Sequence, residues 1–176
     1  MKFKNFIKIF FAILFVFVST HSYAKTIKWS MQGDSLTLDP HAQNEGPTTQ
    51  VSRQVYEALV TRGLDMSIEP QLATDWKTTD PNTWIFNLRK DVKFSDGSNM
   101  TAKDVVFSIL RAKQPTSDFK EYISTISGVK AIDDYTVQIK TSKPNPILLN
   151  QLSNISVQKQ CLWHSIPHRD QRYNCK

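Results

Sequence analysis

The sequence predicts an α/β fold, in which short strands and amphipathic helices share one hydrophobic core. Two observations support this prediction. Trp84, Phe86 and Leu88 lie at alternate positions, which is the period of two of a half-buried strand. Between Val105 and Leu110 the apolar residues recur at helical spacing instead. A strand pattern that gives way to a helix pattern within one short stretch is typical of a domain that mixes the two elements.

The first 24 residues predict a secretory signal peptide that is cleaved after Ala24. Three lysines precede the apolar run Ile9 to Val18, and Ser22 and Ala24 supply the small residues of a cleavage site. Ten apolar residues make a helix of about 15 Å, half of the hydrocarbon core, so a spanning anchor is disfavoured. No cysteine lies at the cleavage point, so no lipoprotein anchor is indicated. We expect the mature chain to start at Lys25 and to be exported to a bacterial periplasm.

The mature chain is expected to open with a short strand, Ile27 to Met31, and then a loop. Asp39-Pro40 predicts a turn in this loop, because proline forces the residue before it into an extended or turn geometry. Gly46-Pro47 is expected to end the loop.

A helix is predicted next, capped by Thr48 or Thr49 and closed by Gly63. Its apolar face is predicted to consist of Val51, Val55, Ala58 and Leu59. A turn from Asp65 to Glu69 and an apolar stretch through Leu72, Ala73 and Trp76 follow.

The stretch from Trp84 to Lys113 has a local signal at every boundary. Val92 and Phe94 predict a second strand after the first, and Asp96-Gly97 predicts a hairpin turn. Thr101 and Asp104 resemble a capping box, in which each residue satisfies a backbone amide of the other. We therefore expect a helix from Thr101, with Val105, Val106, Ile109 and Leu110 on one face, ending before Pro115.

A second hairpin is predicted near residue 130. Gly128 to Ala131 and Tyr135 to Lys140 flank Asp133-Asp134, and Tyr135, Val137 and Ile139 fall on one face. Pro144-Asn145-Pro146 then predicts the start of a short helix that contains Leu148 and Leu152.

The composition changes abruptly at Ser156, and residues 156–176 are interpreted as an aberrant tail. Both cysteines and two of the four histidines fall in this segment, and no period of two or 3.6 is sustained. The hypothesis is out-of-frame translation after a frameshift near Ile155, and a natural polar tail is the alternative. Resequencing the locus distinguishes the two. A disulfide between Cys161 and Cys175 is the weaker interpretation of the pair.

The net charge of +6 does not indicate nucleic-acid binding, because the excess charge lies at the two ends. Residues 25–155 contain 15 basic and 15 acidic residues. A basic stripe that could follow a phosphate backbone is absent from this part of the sequence. We therefore expect no nucleic-acid partner.

Each candidate for chemistry in the sequence has a plainer structural interpretation. Cys161, His164, His168 and Cys175 have the wrong order for a zinc finger, which needs paired cysteines before its histidine pair. No metal and no other cofactor is therefore expected.

His41 beside Asp39 could form an acid/base pair, but no nucleophile motif accompanies it, so a turn element is favoured. Asp133 and Asp134 point to opposite sides of a hairpin and are expected to be solvated. The tryptophans Trp29, Trp76 and Trp84 are expected in the core. No catalytic residue is predicted, and the chain is not expected to be an enzyme.

Several motifs in this order resemble a known family. They are S-L-T-L-D-P-H-A from Ser35, V-S-R-Q-V-Y-E-A-L-V from Val51, E-P-Q-L-A-T-D-W from Glu69, and W-I-F-N-L-R-K-D-V-K-F-S-D-G-S-N-M-T-A-K-D-V-V-F-S from Trp84. From about Thr26 to Ile155 the chain is similar to the start of the bacterial extracellular solute-binding proteins of family 5. These are the dipeptide, oligopeptide and nickel receptors of ABC importers.

The resemblance implies part of a two-lobed fold that closes over its ligand. It implies an incomplete first lobe of a type II, cluster C-like periplasmic-binding-protein fold, with a mixed sheet and flanking helices. Residues 25–68 would supply the opening strand, loop and helix of lobe I. Residues 69–155 would form the sheet-containing subdomain that this family adds to that lobe.

The resemblance also implies a site and partners. The loop after the Asp-Pro turn would lie against the ligand, which by position gives Asn44, Glu45, Gly46 and Pro47 as ligand-binding residues. The family's ligands include peptides, nickel chelates, opines and haem, delivered to the permease of an ABC importer. A monomer is expected. Since one wall leaves a ligand exposed, residues 25–176 are expected not to bind it alone. The alternative is a standalone secreted interaction module without a transport role.

Overall fold

The structure is a computed structural model that describes residues 26, 28 and 30–160 of the chain. Residues up to Met31 belong to a separate unit, in which the described residues form no helix or strand. The signal peptide, Trp29 and the zinc and disulfide candidates from Cys161 onward lie outside the described residues. No helix in the described ranges is long and apolar enough to cross a membrane.

From Gln32 onward, three α-helices, one 3-10 helix and eight strands follow one another in the described residues. The helices are α1 (Gly46–Val55), α2 (Ala102–Ala112), α3 (Leu148–Leu152) and the 3-10 helix Lys120–Ile123. The strands are β1 (Glu57–Ala58), β2 (Val60–Arg62), β3 (Ile68–Pro70), β4 (Ala73–Asp80), β5 (Thr83–Leu88), β6 (Ile126–Asp133), β7 (Thr136–Thr141) and β8 (Ser156–Val157).

A four-stranded antiparallel sheet forms the centre of this unit, with strand order β4-β5-β7-β6. Residues of β5 pair with β7 in the register Trp84 to Ile139 and Phe86 to Val137. Phe86, Val137 and Ile139 have no exposed surface, so one face of the sheet forms one side of the hydrophobic core. Helix α2 packs on β6 and β7. The predicted hairpin about Asp133-Asp134 and the predicted strand at Trp84 are confirmed.

The remaining strands form two short antiparallel ribbons, β1 with β8 and β2 with β3. Every strand pair among the described residues is therefore antiparallel, and the parallel pairs of a mixed sheet are not found in this part of the chain. In the ribbon β1-β8, Glu57 lies opposite Val157. This pairing joins residues that are far apart in sequence.

Helix α2 begins with the predicted capping box. The Asp104 carboxylate accepts hydrogen bonds from the backbone N–H and from the hydroxyl of Thr101, both at 2.9 Å. The hairpin turn before the helix is also confirmed, because Gly97 has φ of +83° and its N–H donates to the carbonyl of Phe94 at 2.9 Å. The helix ends at Ala112, before Pro115.

Two details of this stretch differ from the prediction. Val92 and Phe94 do not form a strand, since only the single bridge between Lys93 and Asn99 pairs here. Leu110 does not belong to the buried face of α2 and is 49% exposed, whereas its neighbour Ile109 is 1% exposed. The apolar stripe is therefore narrower than the sequence pattern indicated.

The helix predicted between a cap at Thr48 or Thr49 and its close at Gly63 is wrong at both ends. Glu45 precedes the first helical residue, so Thr48 and Thr49 lie inside α1 and do not cap it. At the other end Tyr56 is extended, with φ of −114° and ψ of 149°, and Ala58 enters strand β1. Ala58 is buried because it pairs with β8, a contact that the helical spacing could not reveal.

The first residues of the segment interpreted as a tail belong to the packed unit. Ser156 and Val157 form β8, and the backbone N–H of Gln158 donates to the buried hydroxyl of Ser108 at 2.9 Å. Lys159 forms an ion pair with Asp96 at the hairpin turn. The change in composition at residue 156 therefore does not coincide with the end of the packed structure.

Candidate functional site

The loop before α1 is held at its start by a buried ion pair. The Arg111 guanidinium, on α2, donates from Nη2 to Asp39 Oδ2 at 2.6 Å and from Nε to the same oxygen at 3.2 Å. The other carboxylate oxygen of Asp39 accepts the backbone N–H of His41 at 3.0 Å, which closes the predicted turn at Asp39-Pro40. Both carboxylate oxygens of Asp39 are thus occupied by structural contacts.

His41 follows in the same turn and is fully buried. Its ring packs edge-on against Phe119, with centroids 5.9 Å apart, and neither ring nitrogen makes a hydrogen bond of normal geometry to another described residue. Burial is the main reason why the pKa of His41 falls to about 4, against which the Asp39 carboxylate acts in the opposite direction. The imidazole is therefore neutral, and the turn interpretation of Asp39 and His41 is supported.

The predicted ligand loop comes next and lies at the surface. Asn44, Glu45 and Gly46 are exposed, and Pro47 is half-buried in the first turn of α1. The backbone N–H of Asn44 donates to Asp118 at 3.4 Å, and its side-chain amide lies 3.5 Å from the Tyr122 hydroxyl. The Asn44 side chain is thus attached to the 3-10 helix region, while Gly46 has open space around its Cα.

A cavity of about 220 Å³ adjoins this loop. Of the four predicted residues only Asn44 lines it; Glu45, Gly46 and Pro47 do not. Pro40 and Phe119 supply apolar wall, and the rest of the lining is largely polar side chains of α1, β2 and the segment after α3. The structure therefore places one predicted site residue at the cavity and the other three beside it.

Two arginines that sequence reasoning missed also line this cavity. Arg53 comes from α1 and Arg62 from β2, and both interact with the end of α3. Arg53 Nη2 donates to Asn154 Oδ1 at 3.3 Å, Asn154 Nδ2 donates to the carbonyl of Asn150 at 2.9 Å, and Arg62 Nη2 donates to that same carbonyl at 3.2 Å. In the sequence, the two arginines lie near the ends of predicted elements. That position does not indicate that their side chains meet at one cavity.

Tyr56 lines the same cavity, and its hydroxyl donates to the carbonyl of Leu38 at 2.9 Å. Burial, together with the nearby Asp39 carboxylate, raises the pKa of Tyr56. The hydroxyl is therefore protonated at neutral pH and fastens the loop to the end of α1.

The other candidates for chemistry do not form a site. Asp133 and Asp134 are exposed at their hairpin turn, as predicted. Trp76 and Trp84 are half-buried and pack against the core residue Phe86, each with ring centroids 6.4 Å from it. Within residues 26, 28 and 30–160 no three His, Cys, Asp or Glu side chains cluster as a metal would require.

Known proteins are similar to this chain in sequence and in fold. The family model of the bacterial extracellular solute-binding proteins, family 5 Middle, matches residues 67–161. The periplasmic oligopeptide-binding protein OppA of Escherichia coli strain K12 is 36% identical over 129 residues, which cover 62% of this chain and 24% of OppA. The chain thus spans about a quarter of the length of that relative.

Solved structures give the same result. The murein tripeptide-binding protein MppA of Escherichia coli superposes with a TM-score of 0.72 and 29% identity, over 77% of this chain and 31% of MppA. OppA of Haemophilus influenzae, in complex with the peptide RPPGFSPFR, superposes with a TM-score of 0.70 and 29% identity, over 76% of this chain and 30% of that protein. Both are periplasmic binding proteins. This chain belongs to the bacterial extracellular solute-binding proteins of family 5.

Proposed function

We propose that the described residues form one wall of the ligand site of a periplasmic receptor, which binds peptides and delivers them to the permease of an ABC importer. Family membership over residues 67–161 carries this proposal. The relatives OppA and MppA are named for peptide ligands, which favours a peptide over the nickel chelates, opines and haem that the family also uses. Family 5 is a family of binding proteins, so the expected activity is binding rather than catalysis.

The ligand-facing part of this wall is proposed to be the loop Asn44–Pro47. Its exposed residues follow directly on the buried Asp39–Arg111 pair and the buried His41, so a rigid base supports a surface that a ligand can reach. A loop that is already ordered loses less entropy when a ligand binds, and this favours affinity.

We further propose that residues 25–68 belong to the body of lobe I and residues 69–155 to the added subdomain. The four-stranded sheet and α2 lie within residues 69–155, whereas β1 and β2 lie before them. The ribbon β1-β8 would then connect the two parts, because β8 follows residue 155.

We expect one wall alone to leave a peptide too exposed for tight binding. The cavity beside the loop has about 220 Å³, below the range of roughly 300–1,000 Å³ that is common for ligand pockets, and the larger cavities of about 630 and 770 Å³ are not lined by Asn44–Pro47. Calorimetry of residues 25–176 with di- and oligopeptides is therefore expected to show no micromolar binding. Micromolar affinity together with a cooperative thermal melt would show that a second wall is not needed.

A chimera tests the receptor role directly. Residues 30–160 would replace the matching segment of Escherichia coli OppA, so that OppA supplies the rest of the ligand site. We expect peptide binding to persist in the chimera and to weaken at least five-fold with Asn44→Ala. Glu121→Ala, a change at another exposed position outside the loop, is the matched control and should leave the affinity unchanged. A folded chimera that binds no peptide would contradict the proposal.

A standalone secreted interaction module is the second candidate, and one observation favours it. Twenty buried apolar residues form one core that includes both Leu59 and Val157, so the described residues close their own hydrophobic interior. Hydrogen exchange on the purified chain would show protection throughout β4 to β7 if this core is stable by itself. Rapid hydrogen exchange without protection would show that the core is not stable by itself. Only the role as part of a larger receptor would then remain.

A further inference from the structure

Arg53 and Arg62 carry two positive charges into the cavity beside the ligand loop, and none of the described residues that line it is acidic. The ion pairs found among the described residues are Arg89–Asp91, Arg111–Asp39 and Lys159–Asp96, so neither cavity arginine is neutralised by a carboxylate in that part of the chain. Exposed arginines are common on protein surfaces. Two arginines that share one concave polar site without a counter-charge favour the binding of an anion there.

A continuous hydrogen-bond path links the two arginines through the residues at the end of α3. Arg53 reaches Asn154, Asn154 reaches the carbonyl of Asn150, and Arg62 reaches the same carbonyl, over distances of 3.3, 2.9 and 3.2 Å. The path fixes two long side chains that come from different elements, α1 and β2. Less side-chain entropy is then lost when a ligand binds them.

Capping of α3 explains only half of this arrangement. Arg62 donates to Asn150 O, a carbonyl of the last turn of α3, which is an ordinary role for an arginine at a helix C-terminus. Arg53 donates to a side-chain oxygen instead and satisfies no helix carbonyl. Each of these bonds uses Nη2 of a guanidinium that has five N–H donors, so both groups retain donors for a ligand.

We propose that this cavity binds an anionic oxygen group, a carboxylate or a phosphate, between Arg53 and Arg62. The proposal rests on the proposed function, because it assigns a ligand chemistry to the same wall. Guanidinium groups bind oxyanions in a planar, two-pronged geometry, and the Tyr56 hydroxyl beside them is protonated and neutral. A volume of about 220 Å³ suits a single such group rather than a whole peptide.

The test follows the backbone amides of Ala58, Asn154 and Ser156 by NMR in the purified full chain. Sodium phosphate and sodium acetate are titrated separately against sodium chloride at constant ionic strength. We expect saturable shifts at these amides with millimolar midpoints for both oxyanions, and competition between them. Shifts that rise linearly without saturation, or that spread evenly over the surface, would overturn the proposal.

Variants localise the site. Arg53→Gln and Arg62→Gln should each weaken oxyanion binding at least five-fold, while Arg89→Gln, on an exposed arginine outside the cavity, should not change it. Arg53→Lys and Arg62→Lys keep the charge and the folded state if the glutamine variants unfold, and they should bind more weakly than the native chain. Equal binding by all of these variants would refute a role for the arginines.

The OppA chimera separates the source of the anion and the two proposals. A peptide with a free C-terminal carboxylate should bind the chimera more tightly than its C-terminal amide, and Arg53→Gln should remove this difference. If the chimera binds both equally while the native chain binds phosphate, the site serves phosphate and not the carboxylate of a peptide. Oxyanion binding by the native chain with no peptide binding by the chimera would overturn the receptor role and leave the anion site standing.

Discussion

Asp39 and Arg111 form an ion pair whose side chains are 7% and 4% exposed, and the pair joins the loop before α1 to α2. Removing one member leaves the other charge in a site that water scarcely reaches. Asp39→Ala should therefore lower the free energy of unfolding by about 3–5 kcal/mol, measured by urea denaturation. Asp91→Ala, which breaks the exposed Arg89–Asp91 pair, should cost less than about 1 kcal/mol.

The double variant Asp39→Leu with Arg111→Met gives a sharper result for this pair. Because it removes both charges together, it should be much less destabilised than Asp39→Ala alone. A double variant as unstable as the single one would mean that packing, and not the unpaired charge, controls the loss.

His41 should make the stability of the chain depend on pH. Its pKa is about 4 in the folded chain and about 6.5 when exposed, so the unfolded chain binds the extra proton first. The contribution of neutral His41 to the free energy of unfolding is complete above pH 6.5. It is lost as the pH falls from 6.5 to 4, by an amount on the order of 3 kcal/mol.

The measurement is urea denaturation at several pH values for the native chain and for His41→Leu. The difference between the two curves isolates His41 from the exposed carboxylates, which also titrate in acid. We expect the native chain to lose more stability than the variant between pH 6.5 and 4. Parallel curves would show that the buried imidazole does not titrate in this window.

Neighbouring residues of α2 give a test of its buried face. Ile109 is 1% exposed and Leu110 is 49% exposed, although both are apolar and adjacent. Ile109→Ala should destabilise the chain by about 2–5 kcal/mol through the cavity it leaves, while Leu110→Ala should change stability by about 0.5 kcal/mol or less. Similar losses in the two thermal melts would contradict the orientation of the helix.

The hairpin turn at Gly97 depends on backbone conformation and not on space. Its φ is +83°, and a Cβ built there meets nothing within 4 Å. Gly97→Ala should therefore cost about 1–2 kcal/mol from backbone strain alone. Gly128→Ala is the control, because that position has equal room and an ordinary φ, and it should be neutral or slightly stabilising by denaturant melt.

Local sequence signals predicted the elements whose partners are close in sequence. The hairpin about Asp133-Asp134, the turn at Gly97 and the capping box of Thr101 and Asp104 each involve residues a few positions apart, and all three are confirmed. Such features follow from turn chemistry and capping, which a short window of sequence contains in full.

The predictions that were wrong have a different physical origin. Ala58 and Leu59 fit a helical stripe, but Ala58 is drawn into a strand by β8, whose sequence is remote from it. Tertiary pairing overrides local propensity in such cases. The convergence of Arg53 and Arg62 on the end of α3 could not be predicted for the same reason, because it depends on where three separate elements meet.

The ribbon of β1 and β8 has a consequence for the order in which this chain can fold. Glu57 and Val157 pair across about 100 positions of sequence, so the loop they close is most of the described unit. Closing so long a loop costs entropy before its contacts repay it, which slows the step. During synthesis the hairpins can form early, and Ala58 can already bond to Gln71 and Leu72, but the pairing of Glu57 with Val157 waits until residue 157 has left the ribosome.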